Sequence, residues 1–267
     1  MKKGQNSILS AKDNLVTGAL SGVAVDAVLY PIDSIKTNAQ AKKSFSFSDI
    51  RKLYSGILPT LVGTVPASAF FYCFYELSKK LLTENRENIS KTNLYLISTS
   101  VAEVTACAVR LPFEIVKQKM QVSGSNSVIS TIYDVTQREG LMSFLRKSYF
   151  VMIVREIPFD CIQYFLWETF KEKAKRDYGK FSKKYPSITS AICGGLAGGI
   201  AGFLTTPMDV IKSRQIIYGK SYIETVTEIA EEGYMTFYKG CCFRSLYLFF
   251  GGLIFFGSLR FFSFKKE

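Results

Sequence analysis

The chain has 267 residues, 48% hydrophobic and 21% charged, and a formal net charge of +12. Its six cysteines form no CxxC pair and it contains no histidine. A zinc site of the usual kind and histidine-based catalysis are therefore not expected, and no cofactor or metal is assigned. The length suits one or two water-soluble domains, or six membrane helices with short connectors, since a span needs roughly 20 residues. The basic balance points to an anionic partner: nucleic acid, acidic lipid or an anionic substrate.

The opening stretch, Met1 to Lys12, is polar with three lysines. It lacks the apolar core of a secretory signal and is not an Arg-rich presequence, so targeting information is expected inside the chain. A small-residue run, Thr17 to Gly22, then leads into Pro31-Ile-Asp33-Ser-Ile-Lys36. A short polar connector retains Tyr54-Ser-Gly56, and an apolar segment runs from Leu61 to Leu82. The same order returns twice. Ala102 to Ala108 precedes Pro112-Phe-Glu114-Ile-Val-Lys117, and Tyr149 to Phe170 follows. Gly194 to Gly199 precedes Pro207-Met-Asp209-Val-Ile-Lys212, and Leu246 to Phe264 follows. Between these lie amphipathic runs, Val128 to Gln137 and Tyr222 to Glu231, that read as short surface helices.

One Pro-x-acid-x-x-Lys hexapeptide means little. Three of them, starting 81 and 95 residues apart, each after an apolar stretch, define an internal repeat. The unit is an odd helix, a polar connector and an even helix. We expect a single transmembrane domain over 1–267 with repeats at 10–85, 92–176 and 186–264. The small residues favour close helix contact in a membrane. The run Gly-Gly-Leu-Ala-Gly-Gly does not follow a β-like segment, which argues against a dinucleotide-binding turn.

Each acid and lysine of the motif are three apart and so share one helical face. Ionisable groups at membrane depth are expensive, and they are expected to face a wet interior and pair with one another. A threefold ring allows Asp33–Lys117, Glu114–Lys212 and Asp209–Lys36. A proline within each odd helix removes a backbone hydrogen bond and is expected to kink it, drawing the odd helices together at one end.

The triplicated motif resembles the signature of the mitochondrial carrier family, over almost the whole chain. The resemblance implies an all-α membrane protein: six transmembrane helices in three pseudo-threefold repeats, short matrix-side helices, a central cavity and alternating access. Both termini would face the cytosol. Asp33, Lys36, Glu114, Lys117, Asp209 and Lys212 would form the matrix gate, braced by Gln40 and Gln121. Ile216 stands at the third brace position and breaks the pattern. Glu76, Lys79, Glu168 and Lys171 match the cytosolic gate, where the third site departs with Arg260, so that gate is expected to be weaker. The aromatic-Lys-Gly at Tyr238 to Gly240, with Gly56, is similar to the family's cardiolipin-binding helix starts.

Four stretches resemble most the family's subgroup that carries S-adenosylmethionine. They include Asp26, the segment Glu103 to Ser123 with Arg110, and Arg155-Glu156-Ile-Pro158 through Gln163 to Glu168. The implied function is exchange of S-adenosylmethionine for S-adenosylhomocysteine across the mitochondrial inner membrane, or a plastid envelope, by a protein expected to be monomeric. The alternative is a carrier of another adenine nucleotide or coenzyme on the same fold.

S-adenosylmethionine has a sulfonium, an ammonium, a carboxylate and a net charge of about +1. Asp26, Glu103 and Glu156 are the candidate anionic groups, and Arg155 has the planar fork that suits the substrate carboxylate. Gly63 would leave room for substrate. Phe71 or Tyr247 would stack on adenine, with Gln163 in the same site.

A soluble S-adenosylmethionine-dependent methyltransferase would need a parallel sheet and a Gly-rich loop, and neither pattern is present. The lysines are scattered at helix ends and connectors without a nucleic-acid-binding motif.

Overall fold

The computed structural model describes residues 2–42, 50–85, 89–125, 127–139 and 141–264, with side chains described from Leu20 to Phe255 apart from a few at the turns. The described residues are helical nearly throughout and contain no strand. The helices are α1 (Lys2–Gln40), α2 (Ile50–Leu53), α3 (Ile57–Asn85), α4 (Lys91–Ser123), α5 (Val128–Glu139), α6 (Leu141–Asp177), α7 (Gly179–Lys184), α8 (Pro186–Leu204), α9 (Thr206–Tyr218), α10 (Tyr222–Glu231) and α11 (Cys241–Phe264), with a 3-10 turn at Tyr234–Tyr238. Ile57–Glu84, Thr92–Ser123 and Pro186–Leu204 are long and apolar enough to cross a membrane by length and composition. At 1.5 Å per residue the 33 residues of α4 extend roughly 50 Å, well beyond the roughly 30 Å hydrocarbon core.

The packing closes a ring. Contacts run from α1 to α3, α3 to α4, α4 to α6, α6 to α8, α8 to α11, and α11 back to α1. In addition α1, α4 and α9 touch one another across the ring. Those are the segments that carry the Pro-acid-Lys motifs, so the odd helices converge at their C-terminal ends.

The three prolines act differently. α1 and α4 continue through Pro31 and Pro112. The third odd helix breaks at Thr205 (φ −94°, ψ 9°), two residues before Pro207, and restarts as α9. The guanidinium of Arg244, 1% exposed, donates to the Thr205 carbonyl and to Thr205 Oγ1, each at 2.8 Å. A cation from α11 thereby holds the break in place.

Each odd helix ends on a left-handed residue: Lys42 (φ 57°), Gly124 (φ 70°) and Gly219 (φ 71°). Lys42 is the costly one, having a side chain, but its turn carries the ammonium to Glu232. Glu232 also accepts from Arg214 Nη1 at 2.8 Å, Arg214 Nε donates to the Gln40 carbonyl, and Tyr218 Oη to the Ala41 carbonyl. The loop after α10 thus staples the end of α1 to α9. Partial burial alone would raise the Glu232 carboxyl, but the Arg214 and Lys42 donors outweigh it and hold it below the usual glutamate range. The staple is therefore charged at neutral pH and weakens only on acidification through that lowered value.

The glycines of α8 let two backbones meet, as small residues do between membrane helices. A Cβ on Gly195 would lie 2.8 Å from the Phe249 carbonyl, and one on Gly252 3.1 Å from Gly195 Cα. Gly195→Val should therefore force α8 from α11. We expect a loss of about 1–3 kcal/mol, read as a lower unfolding midpoint in detergent; an unchanged midpoint would contradict this packing.

Candidate functional site

The site begins where α1, α4 and α9 converge. Asp33 and Lys36, Glu114 and Lys117, and Asp209 and Lys212 point inward as i,i+3 pairs, and each lysine reaches the acid of a different repeat. Lys117 Nζ lies 2.8 Å from Asp33 Oδ2, Lys36 Nζ 2.7 Å from Asp209 Oδ2, and Lys212 Nζ 3.5 Å from Glu114 Oε1. Asp33, Asp209 and Lys212 are buried.

The ring is threefold in sequence but not in strength. Gln121 donates to Asp33 at 3.0 Å and Gln40 to Asp209 at 2.8 Å. At the equivalent place Ile216 packs in an apolar cluster with Cys107, Leu111, Ile115, Phe144 and Met152. Glu114 instead accepts from Gln118 at 2.7 Å, one turn along its own helix. Asp209 collects the most cations: besides Lys36, Arg155 Nε stands at 3.2 Å and Arg244 Nε at 3.8 Å.

Above the ring, α6 supplies the next layer. Adjacent residues on a helix diverge, yet Arg155 pairs with Glu156 and both also reach outward. Arg155 bridges to Asp209. Glu156 accepts from Arg110 Nη2 at 3.2 Å and has Lys212 Nζ at 3.7 Å. Arg110 Nη2 also meets Glu103 Oε1 at 2.5 Å. The Phe159 ring lies beneath the guanidiniums of Arg155 and Arg244, at 5.2 and 5.7 Å. This layer and the ring are thus one connected network of charges.

Asp26 stands two turns before Asp33 on α1. It accepts from Thr64 Oγ1 at 2.8 Å and from Tyr247 Oη at 3.2 Å, and among the described residues no cation pairs with it. Tyr247 thus meets Asp26 through its hydroxyl. Gly63 does not open space for a ligand: a Cβ there would lie 2.7 Å from Phe113 Cβ, so the glycine admits the Phe113 side chain between α3 and α4. Phe71 stacks on Tyr75 at 6.2 Å. Gln163 lies against Gly198, whose Cβ would come within 3.4 Å of its Nε2.

At the other end Glu76, Lys79, Glu168 and Lys171 form no ion pair with one another among the described residues. Lys79 lies over the Tyr75 ring at 5.7 Å and Lys171 over the Trp167 ring at 4.2 Å. The Arg260 side chain lies outside the described residues. The proline end is thus tied together by charge pairs between repeats, and among the described residues the opposite end has no such pair.

Gly56 (φ 85°) and Gly240 (φ 80°) precede α3 and α11. Side chains there would meet the carbonyls of Lys117 and Lys36, at 2.9 and 3.3 Å. The middle repeat has no glycine at this point, and α6 begins earlier, at Leu141, running on through Arg146 and Lys147.

The groups that the sequence does not single out as site residues include Gln118, which replaces the missing brace, and Asp160, one turn beyond Glu156 on the same face of α6. The i,i+4 spacing from Glu114 and from Glu156 was the signal available for each.

A closed ring of six long helices, converging on charge pairs between three sequence repeats, defines a membrane carrier. The family description "Mitochondrial carrier protein" matches residues 9–86, 90–178 and 183–264, and the chain belongs to that family. It is similar to the mitochondrial S-adenosylmethionine carrier protein of Xenopus tropicalis, 34% identical over 254 residues, 92% of this chain and 93% of that one. The mouse protein of that description is 33% identical, over 92% and 91% of the two chains. S-adenosylmethionine carrier 1, chloroplastic/mitochondrial, of Arabidopsis thaliana is 34% identical, over 93% of this chain and 77% of that one.

Removing the charge of Asp209 leaves several buried cations short of a partner, whereas Glu114 has fewer. Asp209→Asn should lower the unfolding midpoint in detergent markedly, by the equivalent of about 3 kcal/mol or more. Glu114→Gln should cost less than half of that. Equal losses would contradict the asymmetry of the ring.

Proposed function

We propose that this carrier exchanges S-adenosylmethionine for S-adenosylhomocysteine across an organellar inner membrane by alternating access. The similarity to S-adenosylmethionine carriers over nine-tenths of the chain supports the substrate. The observation that carries the reading is the charge balance of the passage. Among the described residues, seven acidic side chains, Asp26, Asp33, Glu103, Glu114, Glu156, Asp160 and Asp209, stand with six basic ones, Lys36, Arg110, Lys117, Arg155, Lys212 and Arg244. Among the described residues, Asp26 is held by the hydroxyls of Thr64 and Tyr247. A ligand of net charge about +1 fits that balance. A phosphorylated coenzyme or nucleotide, the alternative on this fold, would bring negative charge to a passage already in deficit of cations.

In this reading the substrate carboxylate competes for Arg155. Drawing that guanidinium from Asp209 removes one of the contacts on the most heavily paired acid of the ring. Buried pairs gain little net energy, because desolvation offsets most of their attraction. A modest binding energy can therefore open the proline end, which is the matrix gate, while Glu76, Lys79, Glu168, Lys171 and Arg260 close the cytosolic one. Gly56 and Gly240 would accept cardiolipin phosphate at the starts of α3 and α11. The protein would act as a monomer in the mitochondrial inner membrane. The plant relative makes a plastid envelope the second location to test.

Liposomes loaded with S-adenosylhomocysteine should take up labelled S-adenosylmethionine several-fold faster than empty ones; equal rates would refute exchange. Arg155→Ala and Glu156→Ala should each reduce uptake to background while the protein still unfolds cooperatively in detergent. Undiminished transport in both would remove these residues from the site.

A further inference from the structure

Asp160 occupies a different setting from every other carboxylate of the passage. It lies on α6 one turn above Glu156, is half-buried, and among the described residues makes no hydrogen bond and no ion pair. Glu103 and Glu156 act on it as like charges, while Arg155 and Arg110 are the cations within electrostatic reach. Those two cations are already committed, Arg110 to Glu103 and Glu156, Arg155 to Glu156 and Asp209. Among the described residues, no cation forms an ion pair with Asp160.

One turn further, on the same face, Tyr164 stacks on Tyr95 of α4 with ring centroids 4.0 Å apart and 19° between the planes. Tyr95 lies within electrostatic reach of Asp160. The pair continues into Tyr75 on one side and Trp167 on the other, at 6.2 and 6.0 Å. An aromatic stack with an unpaired carboxylate at its foot has the chemistry of an organic-cation site. The ring faces attract the cation, and the carboxylate supplies the counter-charge.

We infer that Asp160, with the stacked Tyr95 and Tyr164, forms the subsite that takes the cationic centre of the transported molecule and so sets the preference for a cationic over a neutral substrate. The inference rests on the proposed substrate reading. It deepens that reading by separating two molecules that differ by one methyl group and one charge: the sulfonium of S-adenosylmethionine binds over Asp160, and the neutral thioether of S-adenosylhomocysteine gains nothing there. The precursor therefore enters with help from Asp160, and the spent product leaves without having to break that contact.

The test measures the affinity of purified full-length protein for each compound, by competition for uptake into liposomes. Wild type should prefer S-adenosylmethionine. Asp160→Asn should weaken its binding about tenfold and alter that of S-adenosylhomocysteine less than about threefold. Asp160→Glu should retain the preference, and Tyr164→Leu should reduce it. Unfolding midpoints in detergent separate a lost contact from a lost fold. If Asp160→Asn weakens both compounds equally, or neither, the subsite is wrong although the substrate stands. If wild type binds neither compound, the substrate reading fails and takes this subsite with it.

Discussion

The structure depends on one constraint: charges carried by helices of membrane-spanning length must be neutralised by one another. Asp33, Glu114 and Asp209 lie buried or half-buried where three helices meet, and the lysine of a neighbouring repeat reaches each of them, with Arg155 and Arg244 also at Asp209. The convergence of α1, α4 and α9 and the pairing are two descriptions of one requirement. If the helices separate, each acid loses its cation. In the proposed alternating-access cycle, the desolvation that nearly offsets the attraction of such pairs is what lets the ring open.

Connection to Arg155 and Glu156 of α6 distinguishes this ring from three isolated pairs. Arg155 touches both Glu156 and Asp209, and Lys212 lies between Glu114 and Glu156. A ligand that alters the Arg155–Glu156 pair alters the ring without an intermediate element. The coupling is also uneven. The seam between α1 and α9 carries Lys36–Asp209, the Gln40 brace, and the Glu232 staple with Arg214 and Lys42. The seam between α4 and α9 has its pair at 3.5 Å. In the proposed cycle, opening is expected to begin at the weaker seam.

Much of this was legible in the sequence because it is periodic. The repeat is written three times, and i,i+3 spacing fixes which groups share a face, so the helix number and the inward acids and lysines follow from pattern alone. What was not legible depends on neighbours distant in the chain. Ile216 reads as a missing brace, but only the folded chain shows Gln118 bonding Glu114 from its own helix. Gly63 reads as space, and only the packing of α3 on α4 shows Phe113 filling it. Pro31, Pro112 and Pro207 look alike in sequence. Only the last goes with a helix break, at Thr205, where Arg244 from α11 adds hydrogen bonds to the carbonyl and the hydroxyl. Asp160 drew no notice because an unpaired carboxylate is defined by what fails to approach it.

The most direct test of the ring is a double-mutant cycle on its cleanest pair. Asp33→Asn, Lys117→Met and the combination would be compared with wild type by thermal unfolding of the purified protein in detergent. If the two groups stabilise the closed end by neutralising each other, the combined variant should be no less stable than the worse single variant, with a coupling of about 1–3 kcal/mol. Losses that simply add would mean that Asp33 and Lys117 act separately, and would contradict closure by charge pairing between repeats.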